Sequence, residues 1–271
     1  MRSPRRLTLL TDFGWADPWL AELKGALFTQ WARYPDLDVA PAIIDLGHDL
    51  PPGDVAAAAW FLDRIRGCWP PGTVHLAVVD PGVGTDRPAV ACAAGGRHFV
   101  GPGNGLLAFL AGEPDLEVVR LDNPLYRGHP ADGRISATFH GRDVFAPAAA
   151  HLTAGVPLDQ LGSPGAATDL GALSCIPAGT GPRIRWIDRF GNAVTDLARE
   201  GAEGAALGGG AGLLVGDRRV PGPLPHFAAA AGLGPFWFWG SGDTVEIAVS
   251  GGSAAEVLGL AAGLELRVVE P

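Results

Sequence analysis

What most constrains the fold is an alternation of two periodicities along the N-terminal part of the chain. Residues 7–10 form a short apolar run that breaks into Thr11-Asp12-Phe13-Gly14, and behind it Trp19, Leu23, Leu27 and Trp31 recur every four residues, the stripe of one helix face. Asp17 and Pro18 stand where a cap and a first-turn proline open a helix. Residues 39–44 repeat the strand pattern, and Asp54 then caps a second stripe of Val55, Ala58, Ala59, Leu62 and Ile65. A third apolar run over 74–79 ends at Asp80. Strands are expected at 90–94, 98–100 and 116–121, a short helix after Asn104, and a last helix after Arg142 carrying Val144, Ala148 and Leu152. Strands separated by helices pair in parallel, because a parallel neighbour needs a long crossover. Ligands of such sheets sit beyond the carboxyl ends of the strands, and Asp12 and Asp80 occupy two of those ends.

Past residue 162 the pattern changes. Gly, Ala, Pro and Ser dominate 162–182 without periodicity, the composition of a connection between domains. An N-terminal domain is expected over 1–165, a linker over 166–181 and a second domain over 182–271. In the last, short strand candidates at 183–187, 193–197, 213–215, 236–239, 245–249 and 264–269 are separated by Gly or Pro, as in a small antiparallel barrel or sandwich. The Gly-rich stretch 201–216 reads as loop and turn. The expected class is α/β: a Rossmann-like, mainly parallel sheet flanked by helices, followed by a smaller antiparallel β-barrel.

Several function classes lose support at this point. A net charge of −9 argues against a nucleic-acid partner, which wants a basic face. No stretch approaches the ~18 apolar residues of a membrane helix, and Asp12 ends the first apolar run too early for a signal peptide, so a cytoplasmic protein is expected. Cys68, Cys92 and Cys175 lie far apart with no C-x-x-C pair, which indicates neither a disulfide framework nor a zinc site. No Walker A loop, H-E-x-x-H or G-x-S-x-G occurs. Gly101-Pro102-Gly103-Asn104-Gly105 imitates a dinucleotide-binding loop but has the wrong spacing and place, and it reads as a wall of the site.

Four runs carry chemistry. Asp12 can accept two hydrogen bonds from vicinal hydroxyls or serve as a turn residue. Asp80 and Arg87 are joined by the turn-forming Pro81-Gly82-Val83-Gly84-Thr85-Asp86, which folds a guanidinium back onto a carboxylate, in a structural bridge or a working pair. His140, in Phe139-His140-Gly141-Arg142-Asp143, is a core histidine or a proton-handling group. In Asp188-Arg189-Phe190-Gly191-Asn192, a good turn sequence, the Asn192 amide matches the edge of a base and the Phe190 ring can stack on one.

Taken in order, these runs resemble the family of S-adenosyl-L-methionine (SAM) hydroxide adenosyltransferases, relatives of the SAM-dependent fluorinase and chlorinase. The resemblance implies hydrolysis of SAM to adenosine and L-methionine with no metal and no cofactor. Asp80, Arg87 and His140 would position and activate water, with His140 accepting or relaying its proton, Asp80 orienting water or imidazole, and Arg87 keeping Asp80 charged. Asp12 would grip the ribose diol, Asn192 read adenine and Asp188 contact the methionine amine. Residues 240–249 look like the family's C-terminal binding strand, which implicates Ser241, Glu246 and Val249; Gly242 replaces an arginine of the fluorinase, and Gly103 stands where relatives commonly carry Asp or Asn. The fluorinase has tyrosines at the Asp80 and His140 positions and serine at Gly141, where a chlorinase has glycine. A carboxylate beside the attack path repels an anion and welcomes water, which favours hydrolysis over the alternative of a halogenase. A second alternative is a non-catalytic SAM or adenosine sensor, which needs no water-activating set. The resemblance also implies a homotrimer, with sites between the first domain of one subunit and the second domain of the next.

Overall fold

The computed structural model describes residues 6–37, 39–129, 131–173 and 181–270. The chain divides into two compact units, Met1–Cys175 and Ile176–Pro271. Of the expected linker, 174–180 lie outside the described residues, as does Cys175. The preceding residues, including a 3-10 turn over Ala167–Leu170, pack into the first unit, with Leu170 fully buried.

In the first unit six strands form one sheet in the order β2-β1-β3-β5-β4-β6: β1 (Arg6–Thr11), β2 (Ala42–Gly47), β3 (Val74–Val78), β4 (Ala89–Ala94), β5 (Arg97–Pro102) and β6 (Glu117–Arg120). Only β4 runs against its neighbours, because a tight hairpin through Gly95 and Gly96 joins it to β5. Strand β2 begins later than its apolar run suggests. Pro41 has no N–H to donate, Ala42 is the first residue paired with β1, and Val39 is exposed. Helix α1 (Trp19–Trp31) buries Leu20, Leu23, Ala26, Leu27 and Trp31, while Trp19 is half exposed. Its cap position is Pro18, without a side-chain cap, so Asp17 does not cap it as expected. Asp54 does cap α2 (Val55–Arg66), accepting from the Ala57 N–H at 2.9 Å. Helix α3 (Ala146–Ala154) packs on α1, and Trp31 Nε1 donates to Thr153 Oγ1 at 2.8 Å across that contact.

The 101–105 loop has glycines for a reason unrelated to a nucleotide. A Cβ on Gly103 would stand 2.1 Å from the Asp169 carbonyl oxygen, and one on Gly105 2.7 Å from that of Ala172. The segment 169–172 covers the loop at backbone contact, so no side chain fits at position 103. Asn104 instead holds the end of β3 by donating to the Val79 carbonyl at 3.0 Å.

The second unit contains two antiparallel sheets. One, β11-β12-β8-β7, joins β7 (Ile184–Ile187), β8 (Ala193–Ala198), β11 (Pro235–Trp239) and β12 (Thr244–Val249); the other, β10-β9-β13, joins β9 (Gly212–Val215), β10 (Arg218–Val220) and β13 (Leu266–Val269). Among the described residues their ladders do not close into the expected barrel, and the two remain separate sheets sharing a core that includes Leu213, Trp237, Val245, Ile247 and Leu266. Nor is 201–216 only loop and turn. Its Ala, Glu and Leu residues, all good helix formers, build α4 (Ala202–Gly208) and bury Leu207.

Candidate active site

The first unit builds its site from adjacent strand ends. Thr11 of β1 pairs with Val78 of β3, so Asp12 and Asp80 leave the same edge of the sheet side by side. Asp12 Oδ2 accepts the Gly53 N–H at 2.8 Å, which fixes the carboxylate on the loop that follows β2. Gly53 reaches this pose with φ +72 and faces Pro81, next to Asp80.

Asp80 receives a two-pronged contact. Arg87 Nε donates to Oδ1 at 2.7 Å and Nη2 donates to Oδ2. The intervening turn is closed by the Val83 N–H on the Asp80 carbonyl and the Thr85 N–H on that of Gly82. The same Nη2 lies 3.0 Å from His140 Nδ1, and Nη1 donates to the Pro88 carbonyl at 3.2 Å. The guanidinium also stacks over the buried Phe145 ring, 5.3 Å from its centre. Side-chain exposures of 5% for Asp80 and 9% for Arg87 place the pair largely out of water. A guanidinium only donates, so Nδ1 of His140 must carry its lone pair there, and the neutral ring carries its proton on Nε2. Burial first, and the Arg87 charge second, hold His140 below the usual histidine pKa, with Asp80 opposing them.

His140 comes to this position at the start of an unusual turn. Gly141–Phe145 form one π-helical turn, closed by the Ala146 N–H on the Gly141 carbonyl, before α3 begins. Such turns recur at functional sites because they shift the side chains of a helix start out of regular register. Arg142 holds the turn from outside, with its Nη1 on Glu22 of α1 at 2.7 Å and its Nε on Asp143 at 2.7 Å, while its guanidinium covers the Phe139 ring.

Asp12, Asp80 and His140 line one cavity of about 240 Å³, together with Phe13, Gly53, Val83, Thr138 and Phe139. Arg87 stands behind Asp80 and lines instead a second cavity of about 270 Å³ that His140 also borders. The 101–105 loop lines neither, so it supports the site through Asn104 rather than walling it. A larger cavity, about 340 Å³, lies among His129, Asp132, Arg134 and Arg142, but its charges are matched within it: Arg134 and His129 on Asp132, and Arg142 on Asp143.

In the second unit Asp188, Phe190 and Asn192 form the turn between β7 and β8. Asp188 Oδ1 accepts the N–H groups of Phe190 and Asn192, both at 2.8 Å, and Oδ2 accepts the Asn192 side-chain amide at 2.8 Å. Both carboxylate oxygens are thus engaged within the turn, and Asn192 offers an acceptor and one remaining N–H. Phe190 projects with 74% of its surface exposed, as a stacking surface would. Ser241 is in the hairpin before β12, next to Thr244, which pairs with Ala198; Ile247, further along β12, pairs with Ala193, beside Asn192. The Ser241 hairpin and the Asn192 turn therefore stand at opposite ends of β8. Strand alternation sends Glu246 and Val249 to opposite faces, Val249 joining the Trp237–Val245–Ile247 side.

Both halves of the chain match family models: the SAM hydroxide adenosyltransferase N-terminal domain over residues 7–162 and the corresponding C-terminal domain over 182–267. The chain belongs to the SAM hydroxide adenosyltransferase family. A relative in Thermus thermophilus named (R)-S-adenosyl-L-methionine hydrolase is 42% identical, over 98% of this chain and all of the relative. A fluorinase from Actinopolyspora mzabensis is 27% identical, over 97% of this chain and 96% of its own. The crystal structure of an uncharacterized conserved protein from Thermotoga maritima superposes with a TM-score of 0.83 at 27% identity, covering 97% of this chain and 100% of the other.

Within this adenosyltransferase fold the cavity-lining residues that sequence reading did not name are Gly53 and Thr138. Phe139 was visible in the histidine motif, whereas a glycine that lends its N–H to Asp12 carries no local signal. The Asp80–Arg87 contact gives a stability expectation. Arg87→Ala leaves a largely buried carboxylate without its partner and should cost about 3–5 kcal/mol, read as a lower urea midpoint at pH 7; an unchanged midpoint would mean that Asp80 finds water instead.

Proposed function

We propose that this protein hydrolyses SAM to adenosine and L-methionine by in-line attack of water on the ribose 5′ carbon. The observation that carries the reading is the Asp80–Arg87–His140 contact set on a cavity that Asp12 also lines. The family membership and the Thermus relative's name support the same reaction. The 5′ carbon of SAM is bonded to a sulfonium, so methionine leaves as a neutral thioether and the reaction calls for no metal or cofactor. One water is consumed, its oxygen forms the new bond to C5′, the carbon–sulfur pair goes to sulfur, and one proton is released.

Because Arg87 occupies Nδ1 of His140, the ring meets the water through its Nε2–H, as a donor that orients a water lone pair. Asp80 keeps lone pairs beyond those given to Arg87 and accepts the water proton as the carbon–oxygen bond forms. Arg87 aligns both groups at once. Orientation of this kind contributes on the order of 7–11 kcal/mol to a displacement. Asp12 takes the ribose diol, and in the second unit Asn192 and Phe190 take adenine and Asp188 the methionine amine; Glu246 and Val249 are binding candidates on β12, and Ser241 stands at the far end of β8 from the Asp188–Asn192 turn. A carboxylate as close to the attacking atom as Asp80 disfavours a halide nucleophile.

The reading extends to a homotrimer in the cytoplasm whose sites form between subunits. Light scattering of the purified protein should give three times the chain mass, and a monomer or dimer mass would remove that part. Chromatography of products from SAM, with and without chloride, tests the chemistry. Adenosine plus methionine is expected in both buffers, with turnover lowered by a factor of about 10²–10⁴ in Asp80→Ala and His140→Ala; chlorinated adenosine would make the protein a halogenase, and tight binding without turnover a sensor. The pH profile follows from His140. Its neutral form is the one that accepts from Arg87, and its pKa lies below 6.5, so kcat/KM should be level near pH 7 and fall as acid takes the pH through that lower value. A midpoint above 6.5, or an identical acid limb in His140→Gln, would assign the limb elsewhere.

A further inference from the structure

Three histidines of the first unit are buried with a hydroxyl on Nδ1: His75 with Thr8, His151 with Tyr34, and His48 with Thr11. The first two belong to the core. His48, fully buried, stands where the loop after β2 meets the loop after β1. Three hydrogen bonds join those loops. Thr11 Oγ1 and His48 Nδ1 are 2.8 Å apart, the Gly14 N–H donates to the His48 carbonyl at 2.7 Å, and the Gly53 N–H donates to Asp12 Oδ2 at 2.8 Å. Two of these flank Asp12 and both end on His48, one on its ring and one on its backbone.

The direction of the Thr11 contact can be assigned. His48 Nε2 lies 3.1 Å from Asp45 Oδ1, an acceptor-only oxygen that would repel a bare Nε2 lone pair, and burial first of all lowers the pKa of His48. The neutral ring therefore carries its proton on Nε2, and Nδ1 accepts from the Thr11 hydroxyl, whose oxygen also accepts the Phe13 N–H at 3.3 Å. The Nε2 contact with Asp45 is close but not aligned as a hydrogen bond, so it acts through charge. Lys24 holds the other oxygen of Asp45 at 2.7 Å, and the Trp15 ring packs edge-on against the imidazole at 4.6 Å. The ring is thus restrained on both sides by groups that do not reach the cavity.

We propose that His48 is a positioning residue for ribose recognition: through Thr11 and the backbone of Gly14 it sets the carboxylate of Asp12 to receive a vicinal diol. The inference rests on the reading of Asp12 as the ribose-binding group and deepens it. Asp12 has one oxygen already committed to Gly53, so the plane of its carboxylate is fixed only as well as the two loops are fixed to each other. A cis-diol needs both oxygens in one plane facing it, and a shift of the 11–14 loop would misdirect both hydrogen bonds together. His48 therefore acts on ligands that carry a 2′,3′-diol and not on those that lack it.

The test compares the affinity of the whole protein for adenosine and for 2′,3′-dideoxyadenosine by calorimetry, in wild type, Thr11→Val, His48→Leu and His48→Asn. Wild type should prefer adenosine. Thr11→Val and His48→Leu should lower that preference by about tenfold, the scale of misdirected hydrogen bonds, while dideoxyadenosine binds as before. His48→Asn, whose amide oxygen can replace Nδ1 as acceptor, should retain most of the preference. If Thr11→Val and His48→Leu keep the wild-type preference, or lose both ligands equally, the positioning role is wrong; should His48→Leu fail to fold, Thr11→Val alone decides. A wild-type protein that binds both nucleosides equally would overturn the Asp12 assignment itself, whereas the hydrolysis reading stands or falls on the products of SAM.

Discussion

The site depends on one guanidinium. Arg87 is the point at which a strand-end carboxylate, a histidine from a distant turn and the aromatic core meet, and its planar fork lets it serve all three without moving. An ammonium in its place could neutralise Asp80 but could not at the same time present aligned N–H groups to a carboxylate and to Nδ1. The polarity of His140 follows from this, because its tautomer is decided by what faces Nδ1. The proton inventory of the site is therefore set by the arginine, which does not itself line the cavity of Asp12 and Asp80.

Much of this was legible in the sequence because strand ends are legible. The apolar runs before Asp12 and Asp80 are short, buried and bounded by Gly and Pro, so their ends fall where the hydrophobic pattern stops, and parallel pairing of β1 with β3 then makes neighbours of residues 68 positions apart. The Asp80–Arg87 contact is local and follows from turn chemistry. His140 could be placed only through motif resemblance, since a single π turn has no hydrophobic period to betray it.

What could not be read has a common cause in backbone-to-backbone contact. A bare Gly103 looked like a missing ligand contact and is instead the space that the 169–172 segment fills. Helix α4 hides in a stretch whose glycines suggest a loop, although Gly204 lies so close to the Ala198 carbonyl that any Cβ there would clash. The late strands other than β10 were visible one by one, but β10 was missed and the grouping into two separate sheets depends on pairings that no local pattern encodes. In the 188–192 turn both expectations meet: the carboxylate of Asp188 satisfies the turn, and the ring of Phe190 is left outside it.

Gly84 carries a wider consequence. At φ +81 it brings the turn between Asp80 and Arg87 against the segment leading to His140, so near that a Cβ would stand 2.3 Å from the Ala137 carbonyl oxygen. The spacing between these two segments is thus set at Gly84 by a main-chain contact, beside the Arg87–His140 side-chain contact. The approach at Gly84 does not involve the side chains at positions 80, 140 and 141. Relatives named (R)-S-adenosyl-L-methionine hydrolase and fluorinase are both similar to this chain, and a backbone spacing independent of those side chains is compatible with different groups on the same walls.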